Sequence, residues 1–189
     1  MPNLRIVHDN AADRAAIVAS STAGGLVVAN VQSDLKGLVH RSTGTNVTYT
    51  LTWADFETVA CTALAACNLS NVGTIRVRAY DGAVAGNLLA DTGVQYACAG
   101  PRLGLWDWTG KLNGNAFANG GAAKAAVWFP HVAAKRVEIE LSDPTNEAGY
   151  LDVARLVVGG GSRSLQIASF AYAFFFVTES PALPSLDTC

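Results

Sequence analysis

The chain has 189 residues, a length suited to one domain with at most an appended tail. Half of the residues are hydrophobic and only 15% are charged, which argues against intrinsic disorder. The net charge is −2 and the 13 basic residues are scattered, so the chain lacks the electrostatic footprint of a nucleic-acid binder.

The N-terminal residues lack the long apolar core of a secretion signal. No stretch approaches the roughly 20 apolar residues of a membrane span. The sequence therefore predicts neither nucleic-acid nor membrane partners.

Residues 4–8 read as an edge strand. Residues 10–20, with Asp13, Arg14 and several alanines, would allow a short helix, but loop and strand are the preferred reading. Residues 38–40 form a short buried run. The clearest strand is residues 47–53, where Val47, Tyr49, Leu51 and Trp53 alternate with Thr48, Thr50 and Thr52. Such alternation places one face in a core and the other in solvent.

Residues 59–64 read as a buried run. Cys61 and Cys67 share its parity and are expected to be buried free thiols of a core strand. Residues 74–80 alternate again, with Ile75, Val77 and Ala79 inward and Arg76 and Arg78 in water. Residues 125–129 read as a strand ended by Pro130. Residues 135–141 set Val137, Ile139 and Leu141 against Arg136, Glu138 and Glu140. Opposite charges on the wet faces suit an antiparallel sheet solvated on one side. Residues 151–158 form a buried run closed by Gly159, Gly160 and Gly161.

Turn chemistry separates these runs, at Asn71-Val72-Gly73, Asp81-Gly82 and Asp143-Pro144-Thr145-Asn146. No helical stretch is long enough to supply the crossovers of a parallel sheet. The expected fold class is all-β, an antiparallel two-sheet β-sandwich over residues 1–160. Residues 161–189 differ in texture. Their uncharged run from Phe170 through Phe174, Phe175 and Phe176 to Val177 has to pack on the sandwich or on another subunit, or else it is not part of the natural fold.

The best candidate site is an aromatic, Gly-rich segment with Trp106, Asp107, Trp108, Lys111, Asn113 and Asn115. Sugar rings stack their C–H faces on tryptophan, and carboxylates and amides bond their hydroxyls. Trp106 or Trp108 would be the platform, with Asp107, Asn113 and Asn115 as polar contacts. The competing reading has one tryptophan plugging the end of the sandwich and the other packing a neighbour.

Catalytic motifs are missing. There is no Gly-x-Ser-x-Gly elbow, and His8, His40 and His131 are far apart, with His40 expected to be a hydrogen-bonded core or rim residue. Glu138 and Glu140 are expected on a solvated sheet face, without an opposed partner. Asp143, Asn146 and Glu147 offer oxygen ligands of the kind calcium takes, but an ordinary Asp-Pro turn is favoured. The sequence predicts a non-enzyme with no cofactor and no metal.

The stretch Arg136 to Asn146, continued by Gly149-Tyr150-Leu151-Asp152-Val153 to Gly159, resembles the closing strands of discoidin-like, galactose-binding-like sandwiches in phage and prophage tail proteins. Ala29-Asn30 to Asp34, His40-Arg41-Ser42, the Thr-rich strand ending at Trp53, Cys67-Asn68-Leu69, and Leu103 to Trp108 fit the same pattern. The resemblance spans roughly residues 3–160 and implies a jelly-roll, discoidin-like fold. It further implies a structural part of a virion tail or baseplate, made in the bacterial cytoplasm without a signal peptide. The partners would be other tail proteins or further copies of the chain. The alternative it leaves open is a carbohydrate-binding module or adhesin that takes a host-surface glycan through residues 106–115.

Overall fold

The computed structural model describes residues 5–35, 37–70, 72–98 and 123–163. In chain order the strands are β1 (Arg5–Val7), β2 (Ala16–Ala19), β3 (His40–Arg41), β4 (Asn46–Cys67), β5 (Thr74–Tyr80), β6 (Leu88–Asp91), β7 (Gln95–Tyr96), β8 (Ala123–Ser142), β9 (Asp152–Val153), β10 (Leu156–Gly159) and β11 (Gly161–Arg163). Two short 3-10 turns, Ala11–Arg14 and Val28–Gln32, are the only helical elements among the described residues.

The framework is the antiparallel pair of long strands, β4 and β8. Their ladder is regular from Asn46↔Ser142 to Thr52↔Arg136, breaks, and resumes at Glu57↔Ala134. On one side of the break the order is β2–β4–β8–β5, with β6 and β7 on the outer edge of β5. On the other side β10 and β9 line up along β4, and β3 pairs with β9. One bent pair of strands thus contributes to both layers of an antiparallel sandwich, as the alternation of the sequence predicts. Tyr49 from the first layer reaches His40 from the second, with 2.7 Å between the Tyr49 hydroxyl and Nδ1.

The core is built from the inward faces read in the sequence. Val47, Tyr49, Leu51, Trp53, Ile75, Val77, Ala79, Val137, Ile139 and Leu141 all belong to one buried cluster. At the break Trp53 donates its indole N–H to the Ala11 carbonyl at 2.8 Å, tying the N-terminal turn to the bend. On the wet face Arg76 faces Glu140 and Arg78 faces Glu138 across the β5–β8 ladder. Arg78 bridges both glutamates, and Arg136 lies 4.2 Å over the Tyr80 ring. The two glutamates are therefore held by arginines on a solvated face, as expected.

Three boundaries differ from the sequence reading. Residues 47–53 and 59–64 are parts of one strand, β4, because the bend at residues 53–56 re-aims the chain without ending it. Pro130 does not end a strand but lies inside β8. It falls where the β4 register jumps from Val59↔Val132 to Cys61↔Trp128, and β5 pairs with β8 only from Arg136 onward. A ring without an N–H breaks no ladder bond there. The run 151–158 divides into β9 and β10, which pair with separate stretches of β4.

The thiols are buried as predicted, but not on one face. A register shift between Leu64 and Cys67 puts Cys67 in the central cluster, while Cys61 stands opposite Trp128 outside it. In the region of residues 10–20 the structure has a 3-10 turn followed by β2, in line with the preferred reading.

Candidate functional site

Four strands meet in one register row at an end of the second layer. Ala123 is opposite Cys67, Cys67 is opposite Val153, and Val153 is opposite His40. One residue beyond this row the chain turns polar, and Arg41 faces Asp152. The Arg41 guanidinium donates from Nε and Nη2 to the two Asp152 oxygens, both at 2.8 Å. The Tyr150 ring lies against the same guanidinium, with 3.9 Å from Cζ to the ring centroid. Such planar stacking on an aromatic face is a property of arginine more than of lysine.

Asn68 completes the rim. Its Oδ1 accepts from the Asp152 N–H at 2.8 Å and its Nδ2 donates to the Tyr150 carbonyl at 2.9 Å. It therefore does for an irregular backbone what a ladder partner would do in a strand. Behind it the Asp143 carboxylate is fully buried. It accepts from the Ser70 N–H at 2.7 Å, the Ser70 hydroxyl at 2.8 Å and Asn146 Nδ2 at 3.1 Å. Asn146 Nδ2 also reaches the Asn68 carbonyl at 2.9 Å. The loops after β4 and after β8 are thus locked to each other by side chains. This is the Asp-Pro turn favoured by the sequence. Among the described residues no group of three acidic, histidine or cysteine side chains can hold a metal ion.

The electrostatics follow from these contacts. Asp152 raises the pKa of Arg41, chiefly by its hydrogen bonds, so Arg41 is a fixed cation. His40, beneath it, is buried, and burial lowers its pKa and favours the neutral ring. Its Nε2 meets the Thr22 hydroxyl at 3.1 Å while Nδ1 is taken by Tyr49. His40 is the hydrogen-bonded core residue that the sequence predicts. The same burial raises the Tyr49 phenol well above its ordinary range.

At the surface of this rim, Arg41 Nη1 and the Tyr150 hydroxyl bond to none of the described residues. Arg41, Tyr150 and Asp152 are all half-buried. A charged donor fixed by a carboxylate, an aromatic ring and a free hydroxyl are groups that can bond the hydroxyls of a polar ligand.

Trp106, Asp107, Trp108, Asn113 and Asn115, the candidate site of the sequence, lie outside the described residues. The segment that carries them joins β8 at Ala123, in the same row as His40. Sequence reasoning assigned no role to Arg41, Asn68, Tyr150 and Asp152. The available signal was their place: each polar residue borders a fully buried one, His40, Leu69 or Leu151.

Solved structures share this architecture. A chitosan-binding module from a chitosanase/glucanase of Paenibacillus sp. aligns with a TM-score of 0.52 at 12% identity, over 81% of this chain and all of that one. A Streptococcus pneumoniae fucose binding module gives 0.53 at 14% identity, over 82% and 96%. The lectin binding domain of lectinolysin, solved with Lewis b, gives 0.52 at 18% identity, over 81% and 96%. The chain has the fold of these carbohydrate-binding sandwiches. No family profile matches the sequence, and no curated protein matches it.

Proposed function

We propose that the protein is a non-catalytic carbohydrate-binding module that recognises a glycan at the rim formed by Arg41, Asn68, Tyr150 and Asp152, together with the segment carrying Trp106 and Trp108. The observation that carries this reading is the Arg41–Tyr150–Asp152 arrangement, in which Arg41 Nη1 and the Tyr150 hydroxyl bond to none of the described residues. Three sandwiches of this architecture are named for glycan binding, which supports the same reading. Trp106 or Trp108 supplies the stacking platform, and Asp107, Asn113 and Asn115 supply further polar contacts.

The placement in a phage tail is carried by the sequence resemblance over residues 3–160. Within it, the module would serve host-surface adhesion or contact between virion proteins.

Titration calorimetry with fucose, galactose and chitosan oligosaccharides tests the site. Tyr150→Phe removes only the hydroxyl, and Arg41→Lys keeps the charge while losing the Nη1 donor. Each is expected to weaken binding about tenfold, as loss of one hydrogen bond of ~1.4 kcal/mol does. Trp106→Ala combined with Trp108→Ala is expected to abolish binding. Wild-type affinity in all three variants would remove the site from this rim.

A further inference from the structure

The outward positions of the two layers differ in kind. On the first layer they form polar rows: Thr50 faces Glu138, which faces Arg78, and Thr48 faces Glu140, which faces Arg76. On the second layer Val157 faces Ala63, which faces Ala126, and the parallel row is Gly159, Cys61 and Trp128. The rows that alternate with these, Val158–Thr62–Val127 and Leu156–Leu64–Ala125, give all their apolar side chains to the central cluster. Side chains alternate along a strand, so Val157, Ala63, Ala126, Cys61 and Trp128 stand on the opposite face. That face is an apolar floor. Cys61 and Val157 are buried, and Ala63, Ala126 and Trp128 are half-buried. Lys124, the next outward residue of β8, is exposed and marks its edge. A sheet that is apolar on both faces needs a layer on each.

The ribbon of β1 and β11 begins the outer layer. A Cβ on Gly159 would lie 2.9 Å from Val7 Cγ1, and one on Gly161 would lie 2.3 Å from Trp128 Cζ3. Arg5 stacks over the same Trp128 ring at 5.1 Å. From β10 on one side of β4, the chain therefore crosses to the β8 side over the outer face. The ribbon is only three residue pairs long, and both close approaches fall on the Gly159–Cys61–Trp128 row. The buried Trp128 Nε1 has no acceptor among the described residues.

The sequence after Arg163 has the complementary pattern. Phe170, Tyr172, Phe174 and Phe176 alternate with Ala171, Ala173, Phe175 and Val177. As an extended strand this run sets four aromatic rings on one side. Large rings on a floor of alanine and glycine give the pairing of large with small that dense packing needs. The connection over residues 164–169 can span about 20 Å, whereas β10, β4 and β8 together are about 10 Å across.

We propose that residues 170–177 dock on the outer face of the second layer of their own chain, with the four rings over Val157, Ala63, Ala126 and Trp128. A backbone carbonyl of the run takes the Trp128 indole N–H, since a buried donor needs a partner. The occupant is the same chain because the ribbon already lies on this face, and the short tether holds the run there at a local concentration that a second copy does not match. The proposal stands apart from the glycan reading, since no rim residue belongs to the floor.

The test is photo-crosslinking of the full chain carrying Tyr172→p-benzoylphenylalanine, read by light scattering for mass and by peptide mapping for the point of attachment. The expected product is a monomer in which residue 172 is joined to a peptide containing Ala63, Ala126 or Val157. Ala126→Glu is expected to lower the yield about tenfold or more, because an unpaired charge resists burial under aromatic rings. Val18→Glu, on the outward face of the first layer, is expected to leave the yield unchanged. Attachment to a first-layer peptide, crosslinks only between two chains, or no crosslink would each overturn the proposal. So would an undiminished yield in an Ala126→Glu chain that is folded by circular dichroism. The map from the chain with its floor intact decides the matter even where Ala126→Glu fails to fold. Failure of the chain to bind glycans would leave that map as it is.

Discussion

His40 has no exposed surface, and both of its ring nitrogens are engaged, by Tyr49 and by Thr22. Burial lowers its pKa below the ordinary 6.5, so the folded chain holds it neutral where the unfolded chain begins to take up a proton. The sign follows from linkage: its contribution to stability is complete above about pH 6.5 and falls as the pH drops below that value toward the folded pKa. Asp91 behaves separately. Arg76 holds its carboxyl down to about 2, so its contribution is lost only as the pH falls from 3.8 toward 2. Thermal melts against pH should therefore decline in two stages, and His40→Gln should flatten the stage that begins below pH 6.5. A His40→Gln slope equal to the wild type there would show that another group titrates. The role of His40 was legible in the sequence because it sits in an apolar run, but its partners were not. Tyr49 is nine residues away across the sandwich, and no local pattern reports a contact between layers. Asp143 gives the same lesson. Its turn is written in Asp143-Pro144, while the Ser70 that satisfies its carboxylate lies on the other locked loop.

The elements were most legible where one face is wet. Strand β5 has the bounds that strict alternation predicts, residues 74–80, because each inward residue is separated by a solvated one. Strands buried on both faces gave no such period. The four residues of β10 are all buried, so their division from β9 could not be read from hydropathy. The long strands were cut short in the sequence reading for another reason. A bend and a proline look like ends until the register shows that no ladder bond is needed at either place. Glycine at the end of β10 is set by packing across elements. A Cβ on Gly159 would lie 2.3 Å from the Asp9 carbonyl oxygen, which is backbone and cannot swing away. Gly159→Ala should therefore destabilise the chain by about 1–3 kcal/mol, the usual cost of overpacking. Chemical denaturation would measure it. An unchanged midpoint would mean that the N-terminal segment does not pack against β10.

For the whole molecule, the two-layer sandwich was legible because both layers are fed by the same alternating strands. The chemistry at its rim was less legible, because it depends on which strand ends share a register row. Residues 41, 68 and 152 are scattered along the chain and meet only through β3, β9 and the end of β4. The apolar residues 164–189 lie outside the described structure, and their expected packing on the sandwich or on a second subunit stays a reading of the sequence. The sandwich itself serves many roles, so function rests on the rim. The most direct measurement is a glycan array probed with the labelled full chain, with its fold verified by circular dichroism. The account predicts binding confined to a small set of related glycans, lost when Trp106 and Trp108 are both replaced by alanine. A folded chain that binds no glycan on the array would contradict it and return the weight to a structural role in an assembly.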